Sequence, residues 1–337
     1  MLTNLPKIVK KYLGHLSRHD YPSLNTFLFV SCWLNFALDA GITSMRDLFY
    51  QLNLPGIKVD ISTFSKASKQ RSPEVFEQLF KTLVKSLKSQ ASSHKIALFP
   101  LDSTTITLTS KLLWKLGYHQ VKLFSGLNSV SSAIEGIFLH FGQGHDSKYG
   151  QETIAAIPEN GVGIMDRGFA SLQRIQELKE ERHRFFVLRL KNNIRLEMQE
   201  NGLFKVGKKE IAVEVRVVAF CDLERKGEYR LATNLPSEGE LAVSNAEIGE
   251  IYRQRWQIEL LWKFLKMHLK LERIITKNVN GITIQIYASL IAYLLLMLVE
   301  IPREFGSFAL DKLRYLLAFM KQERSFVHWF GRLAFLS

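Results

Sequence analysis

The sequence predicts a mixed α/β protein: helical segments at both ends flank a mixed sheet that carries a β-rich insertion. Three observations lead there. Apolar residues recur at helical spacing within residues 1–95. From Ile96 the pattern changes to short apolar runs and two-residue alternation, and at Ser244 helical periodicity returns. The 337 residues suffice for two modest domains or one domain with large insertions. A content of 47% hydrophobic and 23% charged residues excludes collagen-like and wholly disordered chains. Two cysteines, Cys32 and Cys221, exclude a disulfide framework and a four-cysteine zinc site.

In residues 1–95, Ser44-Met45-Arg46-Asp47 resembles a capping box opening a helix to Leu52. Pro55-Gly56 breaks that helix, Ser62 opens a second over Thr63 to Lys69, and Ser72-Pro73 starts a third. Val75, Phe76, Leu79, Phe80, Leu83, Val84 and Leu87 mark the buried face of the third. A helix-turn-helix presenting Lys66, Lys69 and Arg71 to DNA fits this pattern, and so does a purely structural helical bundle.

Over residues 96–190 strands are predicted at Ile96–Leu101, Thr104–Leu108, Ala133–Phe141, Val162–Met165 and Phe185–Leu190, with a helix over Leu172–Glu181. Residues 191–245 read as β-hairpins, with strands at Ile211–Val218 and Tyr229–Thr233. Ser244-Asn245-Ala246-Glu247 is a capping box opening a helix to about Glu272, in the segment 246–275. Residues 276–337 are helical and rich in aromatics. Ile282–Val299 is the most membrane-like stretch; its densest apolar part is short for a span, which predicts a buried core helix. The first residues lack the apolar run of a signal peptide, so a cytoplasmic protein is expected.

Charge is unevenly spread. The net charge is +13, with 13 basic and 6 acidic residues in both 1–95 and 251–337, against 9 and 11 in 191–250. Basic ends around a near-neutral middle suit a polyanion such as DNA, and also serve plain solubility.

Two aspartates stand where strands end: Asp102 in Leu101-Asp102-Ser103-Thr104 and Asp166 in Met165-Asp166-Arg167-Gly168. Strand ends of open α/β sheets are where ligands gather. Tyr252, Arg255, Glu259 and Lys266 share one helical stripe about 60° wide and about 21 Å long. With Ile251, Ile258, Leu261, Trp262, Phe264 and Leu265 around it, that helix should be substantially buried, and a buried polar stripe needs a partner. A solvated face of ion pairs is the alternative. Three converging carboxylates would suit hard divalent cations and phosphoryl transfer. His140, His145 and Asp146 match no standard zinc spacing, and Gly161-Val162-Gly163 lacks a third glycine for a dinucleotide fingerprint.

The spacing Tyr252-(2)-Arg255-(3)-Glu259-(6)-Lys266 resembles the signature of the IS4-type bacterial transposases. Asp102 in its Asp-Ser-Thr setting and Asp166 in Asp-Arg-Gly-Phe are similar to that family's first two acidic residues. The stretches Lys122–Asn128 and Phe186–Lys191 also resemble it, and the likeness covers residues 96 to about 275. It implies a ribonuclease-H-like core interrupted by the insertion, with Asp102, Asp166 and Glu259 as catalytic metal ligands for Mg²⁺ (or Mn²⁺), two ions in all. It implies DNA contacts from Tyr252, Arg255, Lys266, Arg189 and Lys191, cleavage at inverted-repeat ends, joining to target DNA, and a homodimer on paired ends. Pro100 departs from a central strand, and the insertion is acidic and lacks tryptophan, leaving Phe204 or Tyr229 as base-stacking aromatics. A ribonuclease-H-like nuclease without strand transfer and a non-catalytic repressor at element ends are the alternatives.

Overall fold

The computed structural model describes residues 24–53, 59–91, 96–146, 148–181, 183–207, 212–222, 227–239 and 242–320. The expected break at Pro55-Gly56 lies outside them, as do the first 23 residues and the last 17. The chain divides into two compact units. One comprises the described parts of Met1–Gln90, Ile106–His119 and Trp262–Ser337; the other comprises those of Ala91–Thr105 and Gln120–Leu261.

The first unit is helical. It holds α1 (Thr26–Leu38), α2 (Met45–Asn53), α3 (Ile61–Gln70) and α4 (Glu74–Gln90). Asp60, not Ser62, caps α3, accepting from the N–H groups of Ser62 and Thr63. A carboxylate two residues earlier reaches the same orphan donors, so the helix starts sooner than Ser62 suggested. Ser44 accepts from the Asp47 N–H, and Asp47 reaches back to the Thr43 N–H and hydroxyl.

The sheet of the second unit is built from β1 (Leu98–Thr107), β2 (Gln120–Leu127), β3 (Ile134–Phe141), β4 (Val162–Met165), β5 (Phe185–Arg189), β6 (Leu196–Met198), β7 (Phe204–Val206), β8 (Val213–Asp222) and β9 (Gly227–Thr233). In chain order the short α5 (Lys111–Trp114), which belongs to the first unit, falls between β1 and β2, α6 (Gln151–Ala155) between β3 and β4, and α7 (Leu172–Glu180) between β4 and β5. The strand order is β3-β2-β1-β4-β5-β9-β8-β7-β6, with β4 parallel to both β1 and β5. An antiparallel β2–β3 hairpin beside parallel β1, β4 and β5 makes a mixed sheet consistent with the ribonuclease-H-like core that the family resemblance implies. The insertion continues the sheet, because β9 pairs antiparallel with β5.

Two strand assignments are corrected. The segments expected at Ile96–Leu101 and Thr104–Leu108 form one strand, β1, which runs past Asp102. β2 was not foreseen as a strand; its Ser125-Gly126 pair interrupts the alternation, and the structure has a register shift between Phe124 and Gly126. Pro100 sits in β1 opposite Ile164. Leu98 donates its N–H to the Ser129 hydroxyl and its C=O accepts from the Ser129 N–H, beyond the end of β2, so alternation turns the missing Pro100 donor the same way and spares the β4 ladder. Gly126 fits there because the Phe99 ring lies against it: an added Cβ would fall 2.1 Å from Phe99 Cε1. Gly126→Ala is therefore expected to cost about 1–3 kcal/mol by overpacking, read as a lower midpoint in chemical denaturation.

The remaining helices are α8 (Asn245–Arg253), α9 (Trp256–His268), α10 (Val279–Leu298) and α11 (Ala309–Met320). The Ser244–Glu247 capping box forms as predicted. The single helix expected to Glu272 is broken at Gln254-Arg255 by i→i+3 bonds. On α9, Ile258, Leu261, Trp262 and Leu265 are buried, whereas Trp256 and Leu260 are exposed, so this helix is buried on one face only. α10 is long and apolar enough by length and composition to cross a membrane, but 78% of its most apolar window is buried and it packs on α1, α3 and α4. Burial, rather than shortness, identifies it as a core helix. The Lys270 ammonium also ties the first unit together, donating to the Asp39 and Ile42 carbonyls over the Phe36 ring.

Candidate functional site

The register of β1 and β4 sets the site. Leu101 pairs with Met165, so Asp102, within β1, and Asp166, the first residue after β4, stand side by side in the middle of the sheet. Side chains alternate faces. Leu101 and Met165 enter the core that Phe124 and Phe169 share, while Val162 and Ile164 enter the one shared with Ile248 and Tyr252 of α8. One step beyond Leu101 and Met165, both aspartates belong to the α8 face. There the Tyr252 hydroxyl donates to Asp166 Oδ1 at 3.3 Å. Burial and the Asp166 charge push the Tyr252 phenol up to about 12, so it remains the donor at neutral pH.

Glu259 lies one turn beyond Arg255, whose Nη1 donates to Glu259 Oε1 at 2.5 Å. Burial opposes the Arg255 charge most strongly, but the Glu259 bond together with the Tyr252, Glu259 and Asp166 charges raises the guanidinium pKa overall. Desolvation drives the Asp102 carboxyl up to about 6; the Ser103 N–H and Arg255 oppose the rise, and Asp146 and Glu259 reinforce it. Asp102, Asp166, Tyr252, Arg255 and Glu259 thus share one electrostatic neighbourhood. Its hard oxygen donors, and a carboxyl strained by desolvation and like charge, fit a divalent cation. In this conformation Glu259 is turned to Arg255, and among the described residues no three acidic, histidine or cysteine side chains close into a metal cage. Tyr252→Phe removes one hydrogen bond of roughly 1 kcal/mol. It should lower the melting temperature by roughly 2–4 °C, as read by parallel thermal melts.

Arg189, at the end of β5, stands 5.5 Å from the Tyr229 ring, and its charge partly offsets the rise in the Tyr252 pKa. Lys191 is exposed and lines a cavity of about 730 Å³ with Lys122, His145, Asp146, Arg167, Gly168, Asn192 and Asn193. Tyr229 stacks on Phe220 and approaches Tyr252, whereas Phe204 packs in the cluster on the opposite sheet face. The break at Gln254-Arg255 means that Tyr252 and Glu259 do not lie on one straight helical stripe. Lys266, in the helical unit, is ion-paired to Glu272 at 2.6 Å. Lys66 and Lys69 are exposed on α3, while Arg71 turns inward, donating to the Leu24 carbonyl over the Phe29 ring.

His140 stacks on Tyr149 and contacts the Gln143 carbonyl. Asp146, read from sequence only beside those histidines, instead accepts from Ser103, next to Asp102. The available signal was its position as the sole acid in a glycine-punctuated loop between Gly142 and Gly150.

The family described as "Transposase DDE domain" matches residues 93–295. The chain is 54% identical over 338 residues to "Putative transposase for insertion sequence element IS4SA" of Synechocystis sp., covering 99% of each. It is 26% identical over 261 residues to "Probable transposase for insertion sequence element IS5377" of Geobacillus stearothermophilus, covering 70% of this chain and 66% of that one. It is 28% identical over 251 residues to "Putative transposase y4zB" of Sinorhizobium fredii, covering 68% of each.

Proposed function

The chain belongs to the IS4-family DDE transposases, the enzymes of insertion sequences, and from that premise we propose that it cuts the terminal inverted repeats of its element and joins the freed ends to target DNA. The observation that carries the reading is the placement of Asp102 and Asp166 on adjacent parallel strands, with Glu259 within electrostatic reach of Asp102. These three carboxylates would hold Mg²⁺ (or Mn²⁺), as a pair of ions. Bound there, the ions would supply activation of an attacking hydroxyl and charge stabilisation at the leaving oxygen of a phosphoryl transfer.

The chain's own residues do the rest. Tyr252 keeps its proton and holds Asp166 in orientation. Arg255 restrains Glu259 and, once Glu259 turns away, presents its guanidinium to a phosphate beside the scissile bond. Arg189 and Lys191 extend the cationic surface past β5, and Lys66, Lys69 and Lys266 contact phosphates elsewhere on the duplex, with Arg71 anchoring α3. A homodimer holding two ends fits the two-ended substrate, and such an enzyme works in the bacterial cytoplasm on nucleoid DNA.

The test is purified protein with a duplex carrying the inverted repeats that flank its gene. Metal-dependent cutting at the termini and joining to a second duplex are expected. Cutting without joining would favour the nuclease reading, and binding without cutting the repressor.

A further inference from the structure

Asp146 is assigned no part in the reaction above, yet it touches the residues that flank both Asp102 and Asp166. Its Oδ1 accepts from the Ser103 hydroxyl at 2.8 Å and pairs with Lys122 Nζ at 2.5 Å. Ser103 directly follows Asp102 in β1, so this hydroxyl bond fastens Asp146 to the residue next to the first carboxylate. On the other side, a Cβ on Gly168 would fall 3.1 Å from Asp146 Oδ2. Gly168 belongs to the 3₁₀ turn directly after Asp166, so the absence of a side chain there lets Asp146 lie against that turn. Lys122 is itself fixed, donating to the Gly144 carbonyl at 3.0 Å and lying 5.6 Å from the Phe124 ring centroid. The Asp146 and Lys122 side chains are only 21% and 14% exposed, so the pair is more than a loose surface contact.

We propose that Asp146, neutralised by Lys122, is a positioning residue that braces Asp102 through Ser103 and the Asp166 turn through Gly168, pre-setting the spacing of two cation-binding carboxylates. With the ammonium and hydroxyl both on Oδ1, Asp146 acts as a brace and not as a ligand. Preorganised carboxylates bind a cation without first being ordered, so losing the brace weakens metal affinity more than it slows the saturated reaction. The inference rests on the transposase reading of the site.

The test titrates Mn²⁺ into the protein bound to its terminal-repeat duplex, followed by electron paramagnetic resonance, beside cleavage against Mg²⁺ concentration and a thermal melt. Ser103→Ala is expected to raise the half-saturating Mn²⁺ and Mg²⁺ concentrations by about fivefold to tenfold. The rate at saturating metal should stay within about threefold, and the ion count and melting temperature should be unchanged. Ser103→Thr, which keeps the hydroxyl, should restore wild-type titrations, and Asp146→Ala should match or exceed the Ser103→Ala shift. Wild-type metal titrations in Ser103→Ala would overturn the brace, as would loss of a whole bound ion in Asp146→Ala, which would make Asp146 a ligand. Should Asp146→Ala fail to fold, Ser103→Ala alone decides. A wild-type protein that neither binds Mn²⁺ nor cuts would remove the transposase reading itself. Normal binding and cutting with silent variants would remove only the brace.

Discussion

Glu259→Gln is expected to reduce end cleavage by on the order of 10³-fold or more while leaving end binding and thermal stability intact. The substitution is nearly isosteric. The amide oxygen can still accept from Arg255 Nη1, so the local contact that holds α9 near its start is kept. Only the negative charge is lost, and with it the capacity to share a divalent cation with Asp102 and Asp166. If Glu259 were merely half of a helical ion pair, its loss would cost a few tenths of a kcal/mol and leave cutting untouched. Gel-based cleavage beside filter binding of the same duplex separates the two readings. Asp102→Ala and Asp166→Ala should behave like Glu259→Gln, and normal cutting by any of the three would remove that residue from the site.

Asp102→Asn should do two opposite things: abolish cutting and stabilise the metal-free protein. Desolvation raises the Asp102 carboxyl to about 6 from the ordinary 3.8 of an aspartate. Between those values the folded protein holds a proton that the unfolded chain has released. Stability contributed by the protonated carboxyl is therefore present at low pH and is lost as pH rises through about 6. At neutral pH the buried carboxylate is a cost that an amide avoids, on the order of 1–3 kcal/mol. Without divalent metal, the gain should be full above pH 6 and vanish near pH 4. Adding Mg²⁺ should stabilise the wild type and not the variant. Thermal melts across that range, with and without Mg²⁺, make the comparison. A variant no more stable than wild type at pH 7.5 without metal would mean that Asp102 is not strained by its surroundings.

Much of the fold was legible because its elements obey local rules. Val162–Met165 is a continuous apolar run, which is what a strand covered on both faces requires, and it was placed at its observed limits. Ser244 and Glu247 satisfy each other's backbone groups, so the start of α8 could be read from four residues. β2 was missed because Ser125-Gly126 interrupts its alternation, and the reason for Gly126 is the Phe99 ring of another strand, which no local pattern encodes. The extension of the sheet through β9 was hidden for the same reason: which strand a hairpin joins is a tertiary choice. In the site, Asp102 and Asp166 could be found because each follows a buried apolar run. The i,i+4 spacing of Arg255 and Glu259 allowed for their ion pair, but the sequence could not disclose that the helix breaks at Gln254 or that a loop aspartate reaches Ser103.

Crystals of the protein bound to its terminal-repeat duplex, soaked in Mn²⁺, would put the central claim to its most direct trial. Anomalous difference density is expected against carboxylate oxygens of Asp102, Asp166 and Glu259, with Glu259 released from Arg255. Density elsewhere, or a Glu259 still paired with Arg255 while the other two hold metal without it, would contradict the account.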